Sequence, residues 1–191
     1  MLPYKIIYVL AIFCLFGCQK NSNNNNFAIK AKQFLLNSQS EDGSWDPIKY
    51  GGNFEHPDGK IAVTALAAAA ILAYQEPQSI AACQRATQFL MKAQKIDGAV
   101  GERNYANGIC FYYFAKAISE NRSVEKDAFQ KLFQNVLAKQ SETGAWDYID
   151  ANSERNDMSI SAWVCLGLNL LCTQKSYEKE AQKALTKINK M

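Results

Sequence analysis

The sequence predicts an all-α chain whose helices alternate between two kinds and therefore stack as an outer and an inner layer. Three observations carry this. Amphipathic stretches alternate with stretches that are apolar nearly all round, and one turn sequence recurs three times in register. No period-two alternation runs long enough for a strand.

Taken in order, residues 1–17 hold one Lys, Lys5, followed by an apolar run over 6–16. That run is too short to cross a bilayer as a mature helix and has the form of a secretory signal. It ends Leu15-Phe16-Gly17-Cys18, which resembles the lipobox of bacterial lipoproteins. In such proteins the Cys is acylated and becomes the new N-terminus, so Cys18 is expected to carry lipid. Lys20, rather than an Asp, stands two residues later and favours the outer membrane of a two-membrane envelope. Residues 18–26 then have no apolar side chain to bury and are expected to act as a tether without fixed structure.

The repeat domain is expected over 27–191. Amphipathic stripes fall at Phe27, Ala31, Phe34 and Leu35; at Ala82, Ala86, Phe89, Leu90 and Ala93; at Ala128, Phe129, Leu132, Phe133, Val136 and Leu137; and at Tyr177, Ala181, Ala184, Leu185 and Ile188. Each follows the spacing of one buried helix face. Between them lie apolar stretches over 61–74, 109–118 and 158–172, expected to be buried on most sides. The order is outer, inner, outer, inner, outer, inner, outer: three and a half helix pairs.

A net charge of +3, or +2 without Lys5, is too small and too evenly spread for nucleic-acid binding. Past the signal and Cys18, four cysteines remain: Cys83, Cys110, Cys165 and Cys172. All lie in apolar helical stretches, so free buried thiols are favoured over disulfides. One His in the chain and no CxxC spacing leave a zinc site without support, and no cofactor is implied.

The recurring turn reads Gln39-Ser-Glu-Asp-Gly43-Ser-Trp45, then Gln94-Lys-Ile-Asp-Gly98-Ala-Val100, then Gln140-Ser-Glu-Thr-Gly144-Ala-Trp146. Each copy follows a basic residue (Lys30, Arg85, Lys131) nine positions upstream. Copies one and two also carry an aromatic-aliphatic pair, Phe34-Leu35 and Phe89-Leu90, where copy three has Asn135-Val136. This pattern resembles the QW motif of the prenyltransferase and squalene cyclase repeat family. The resemblance implies a partial α/α toroid, with the motifs on its outside and away from substrate. Gly is expected to stop each outer helix at positive φ, and Gln to donate to the carbonyls left unpaired at that helix end. The Trp is expected to pack over the turn and stack on the neighbouring repeat's Gln. A carbohydrate-stacking role for Trp45 and Trp146 is the sharper, disfavoured alternative.

The activities that the resemblance implies lack their residues. There is no DxDD-like acid motif, no Asp/Cys/His zinc set around His56, and no Gly-Cys-Gly-Glu-Gln thioester pattern at Cys110 or Cys172. Polar groups gather in the loops before the inner helices. These are Asp46, Tyr50, Glu55, His56 and Asp58; Glu102, Arg103 and Tyr105; and Asp147, Asp150, Glu154, Arg155 and Asp157. Carboxylates there are candidates for acid/base chemistry on a glycan or terpenoid, with Asp46, His56, Asp58, Asp147 and Asp157 foremost. Against this, Asp58 and Asp157 stand where helix caps belong, with Asn107 in the equivalent place of the second repeat. The family's ring closes with five to seven pairs, so three and a half should leave apolar inner surface uncovered. Phe111, Tyr112, Tyr113, Phe114 and Trp163 are its expected aromatics, and Tyr50, Tyr105, Tyr112 and Trp163 would line a ligand cavity. The favoured function is a membrane-tethered, non-enzymatic domain binding a protein partner, a second copy, or an apolar or glycan ligand.

Overall fold

The structure is a computed structural model and describes residues 22–50, 56–148 and 156–188. Among these are seven α-helices, a short 3-10 helix at Pro47–Tyr50, and no strand. The helices are α1 (Ser22–Ser38), α2 (Pro57–Ile71), α3 (Pro77–Lys92), α4 (Asn104–Ser119), α5 (Lys126–Ala138), α6 (Met158–Leu171) and α7 (Glu178–Ile188). No described helix is long and apolar enough to cross a membrane. The proposed signal and Cys18 lie outside the described residues.

The chain divides into two units, residues 1–37 and 38–191. The described part of the first is α1. It begins at Ser22, inside the stretch expected to be an unstructured tether. Asn is a weak helix former, but extending a helix already nucleated over the residues after Phe27 costs far less than starting one. The expected buried stripe is corrected as well: Phe27 is 83% exposed, and Phe34 and Ile29 are also exposed.

In the second unit, α2, α4 and α6 pack in that order as an inner layer. Each also packs on the outer helix that follows it: α3 on α2, α5 on α4 and α7 on α6. The predicted alternation is the observed one. Two inner helices start a turn or so before the apolar run, α2 at Pro57, which suits a helix's first turn, and α4 at Asn104.

The layers meet in an aromatic core. Phe111 of α4 stacks on Phe129 and Phe133 of α5, at 6.0 and 5.7 Å between ring centres. Tyr177, just before α7, sits edge-on to both of those rings. Tyr113 turns the other way, toward α3, where its hydroxyl donates to the Cys83 carbonyl (3.1 Å) and pairs with Thr87 Oγ1 (2.8 Å). Adjacent inner helices approach closely at glycines. Gly108 of α4 faces Val164 and Ile160, and Gly167 of α6 faces the Phe111 ring. Cys83, Cys110, Cys165 and Cys172 are free thiols; Cys83 and Cys110 are buried as expected, whereas Cys165 and Cys172 are half-exposed.

Candidate functional site

The repeated turn is the most regular feature of the second unit. In every copy the Gln side-chain amide uses both of its protons. Gln39 Nε2 donates to the Gly43 and Ala82 carbonyls (both 2.9 Å). Gln94 donates to Gly98 and Ala128 (3.0 and 2.8 Å), and Gln140 to Gly144 and Ala184 (both 2.9 Å). One bond closes the turn. The other reaches the next outer helix: α3, α5 and α7 in succession.

The sequence-level expectation that Gln serves its own helix end is therefore corrected. A side-chain amide placed after the helix stop points away from that helix, and the nearest acceptors are carbonyls of the following repeat. Gly43, Gly98 and Gly144 all have φ near +90°. A β-carbon on them would collide with the carbonyl of Arg85, Lys131 or Lys187, three residues beyond the Gln acceptor in each case. Glycine is thus required twice, by conformation and by contact. In the first clasp Arg85 also donates to Gln39 Oε1.

The tryptophans are held within the repeat. Trp146 donates from Nε1 to the Val136 carbonyl of its own outer helix (2.7 Å). Trp45 and Trp146 are 2% and 1% exposed, which leaves no face for a sugar. The backbone N–H at the Trp position is held by the next inner helix instead: Trp45 by Thr64 Oγ1 (3.0 Å), Val100 by Asn107 Oδ1 (2.8 Å) and Trp146 by Ser161 Oγ (3.0 Å). Asn135, which replaces the motif's aromatic, donates to the Asp97 carbonyl of the preceding turn (3.1 Å).

The loops before the inner helices are laced together. Asp58 is buried, and its two carboxylate oxygens accept the backbone N–H groups of Glu102 and Arg103 (both 2.8 Å). Asn104 in turn donates from Nδ2 to the Asp147 carbonyl (2.6 Å), and its backbone N–H to the Tyr148 carbonyl (2.9 Å). Asp58 is therefore no N-cap. His56 caps α2, its Nδ1 accepting from the Asp58 N–H (3.3 Å), and Arg103 stands at the N-cap of α4 with no side-chain bond. Asn107 lies inside α4 rather than at its cap. Asp157 is the cap expected of it, accepting from the Ser159 and Ile160 N–H groups (2.9 and 3.0 Å).

The remaining candidate acids are also engaged. Asp46 Oδ1 accepts the Ile48 N–H (3.0 Å), and Asp147 Oδ1 accepts the Tyr148 N–H (2.7 Å). His56 also lies beside a second acid: its Nε2 is 3.4 Å from Glu102 Oε2. Among the described residues no group of three or more His, Cys, Asp or Glu could hold a metal. Glu55, Asp150, Glu154, Arg155 and the Tyr50 side chain lie outside the described residues.

On the inner helices the aromatics divide. Phe111, Tyr113 and Phe114 are fully buried, so the expectation that they stay uncovered is corrected: the flanking outer helices cover them. Four of the half-exposed residues of α4, Tyr105, Tyr112, Lys116 and Ser119, share one face on the side away from the outer layer, and Ile118 stands off it. Tyr112 meets Trp163 of α6 at 5.4 Å, and Tyr105 stacks on Tyr148 at 6.2 Å. With half-buried Ala69 of α2 and Leu166 and Leu170 of α6 they make an apolar face edged by Lys116. Periodicity could not separate Tyr112 from its neighbours, because the residues from Ile109 to Ala115 carry no charge to mark a face.

The sequence profile of the prenyltransferase alpha-alpha toroid domain family matches residues 4–146, about three quarters of the chain. No curated protein and no solved structure shows significant similarity to it. With its alternating helix layers and its family match, the chain belongs to the prenyltransferase alpha-alpha toroid domain family.

Proposed function

We propose that this protein is a membrane-tethered binding module that takes an apolar ligand on the free face of its inner helices and catalyses no reaction on it. The observation behind this reading is the division of labour among its side chains. Asp46, Asp58, Asp147 and Asp157 all hold backbone N–H groups, whereas Tyr112, Trp163, Leu166 and Leu170 remain half-exposed on one face. The alternative, a reduced terpenoid cyclase-like or polysaccharide-active enzyme working through those rim carboxylates, needs a carboxyl whose oxygens are not committed to backbone N–H groups. The tether is Cys18, acylated after cleavage of residues 1–17, which places the domain in the cell envelope.

Trp163 supplies the test, because the other two of the three tryptophans are buried. Titration of the full chain with long-chain isoprenoid alcohols should shift its emission to the blue. The shift should disappear in Trp163→Phe, and Leu166→Asp should weaken binding by at least about tenfold, the loss of one buried apolar contact. A flat titration, or turnover of the added isoprenoid, defeats the proposal.

A second reading rests on the family match, which begins at residue 4 and so enters the segment read as a signal. On that reading residues 6–16 belong to the repeat domain, and the chain is not cleaved. Intact-mass measurement of protein recovered from membranes separates the two. A diacylated chain starting at Cys18 supports the tether, and a chain retaining residues 1–17 supports the second reading.

A further inference from the structure

Aligned on the recurring glutamine, the first three outer helices share one register. Phe27, Ala31 and Leu35 of α1 stand where Ala82, Ala86 and Leu90 stand on α3, and Ala31 and Leu35 where Leu132 and Val136 stand on α5. The residues on α3 and α5 are all buried. On α1 Phe27 is 83% exposed, Ala31 is exposed and Leu35 is half-exposed. Phe34, also exposed, widens the same stripe, and Ile29 lies on the opposite side of the helix. At about 100° per residue, Lys30 and Lys32 flank the stripe, one on either side. The first acidic residue of the chain is Glu41, so every charged side chain before it is a lysine: Lys5, Lys20, Lys30 and Lys32.

We propose that α1 lies in the surface of an anionic bilayer, with Phe27 and Phe34 below the headgroups and Lys30 and Lys32 reaching to the phosphates. The inference rests on the reading of Cys18 as the lipid anchor, and deepens it. Three properties favour a lipid surface over a protein partner. The first is reach: α1 begins at Ser22, four residues after Cys18, and at most about 3.6 Å per residue keeps that end within about 14 Å of the anchored residue. The bilayer is therefore always beside α1, whereas a protein must find it. The second is charge: a segment with lysines and no acid complements lipid phosphates. The third is the layout of the helix. Lysines at both edges of an apolar stripe can bury their stems beside it and keep their ammonium groups at headgroup level, as interfacial helices do. One acyl chain holds a protein only marginally, so a second contact of this kind secures the anchor.

Photolabelling from within the bilayer tests the contact. The protein purified from membranes is reconstituted into vesicles of phosphatidylcholine with an equal part of phosphatidylglycerol, and a carbene reagent dissolved in the lipid is activated by light. Fragment mapping by mass spectrometry should find label on Phe27 and Phe34 and none on Ile29. Lys30→Glu should lower the labelling of Phe27 by about fivefold or more, the effect of one Lys near an anionic surface, and should change little in phosphatidylcholine alone. Phe27→Asn should lower the labelling of Phe34 in both. Lys30 and Phe27 are exposed, so both variants should keep the helical circular dichroism of the parent. The intact mass of the same sample separates the two ways of failing. An acylated chain starting at Cys18 whose α1 stays unlabelled, whether left in water or covered by protein, overturns this proposal and leaves the tether standing. Equal label on Ile29 and Phe27, or label indifferent to Lys30→Glu, also overturns it. A chain that retains residues 1–17 removes the tether, and this proposal with it.

Discussion

Gln94 Nε2 lies 2.8 Å from the Ala128 carbonyl oxygen, thirty-four residues on, and the same bond joins Gln39 to Ala82 and Gln140 to Ala184. Each repeat is fastened to the next outer helix by one side chain whose other proton closes its own turn. The motif is a joint between repeats.

Replacing Gln94 with Ala should remove both bonds and leave two carbonyls short of a donor, at a cost of about 1–3 kcal/mol. Gln94→Glu should be worse at neutral pH, since it puts a carboxylate against the Gly98 and Ala128 carbonyls. Urea denaturation of the three proteins checks the ranking.

Gly98→Ala should destabilise more than Gln94→Ala. Its positive φ alone costs about 1–2 kcal/mol for an L side chain, and the new methyl group collides with the Lys131 carbonyl, forcing α5 outward. Thermal unfolding should show the lower midpoint, and hydrogen exchange should show lost protection at the turn and in α5.

Asp58→Asn keeps the shape but leaves only one acceptor for the Glu102 and Arg103 N–H groups. A loss of about 1–3 kcal/mol is expected, with exchange accelerated at those two amides first. A rim acid used in catalysis would instead lose turnover with little change in stability.

The hydrogen bond from Ser44, with Lys60 alongside, holds the Asp42 carboxyl down from its ordinary 3.8 to about 2. A carboxyl with a depressed folded-state pKa stabilises the fold above its unfolded value. That stability is lost as pH falls from about 4 through about 2. Asp42→Asn should therefore flatten the acid side of the stability curve in that window, modestly, because the side chain is half-exposed and its ion pair is screened. Urea midpoints taken between pH 2 and 5 read the effect.

Burial pushes the Cys83 and Cys165 thiols up to about 11 and raises Cys110 further. At pH 8 a disulfide reagent should label Cys172 first and leave Cys110 untouched until the chain unfolds. Mass mapping of labelled peptides gives the order.

Some of this was legible in the residues and some was not. Helix alternation could be read because it rests on local periodicity, and Gly43, Gly98 and Gly144 because only glycine takes that turn cheaply. The caps were legible only in part. Asp157 accepts from residues two and three ahead of it, within the reach of local reasoning. Asp58 accepts from residues more than forty positions away, and no local pattern encodes that distance. The same limit hid the sorting of Phe111, Tyr112, Tyr113 and Phe114: four aromatic residues in a row have no apolar face to recognise.

By itself, then, the sequence determined which segments are helices, which layer each occupies in the second unit, and where one repeat hands over to the next. These follow from propensity, hydrophobic period and turn chemistry, all settled within about ten residues. Only the tertiary structure decided which carbonyl each Gln grips, which loop Asp58 holds, and that Tyr112 and Trp163 share the free face. Those depend on partners from other repeats, and a hydrogen bond or a packed ring is specified by what stands beside it in space.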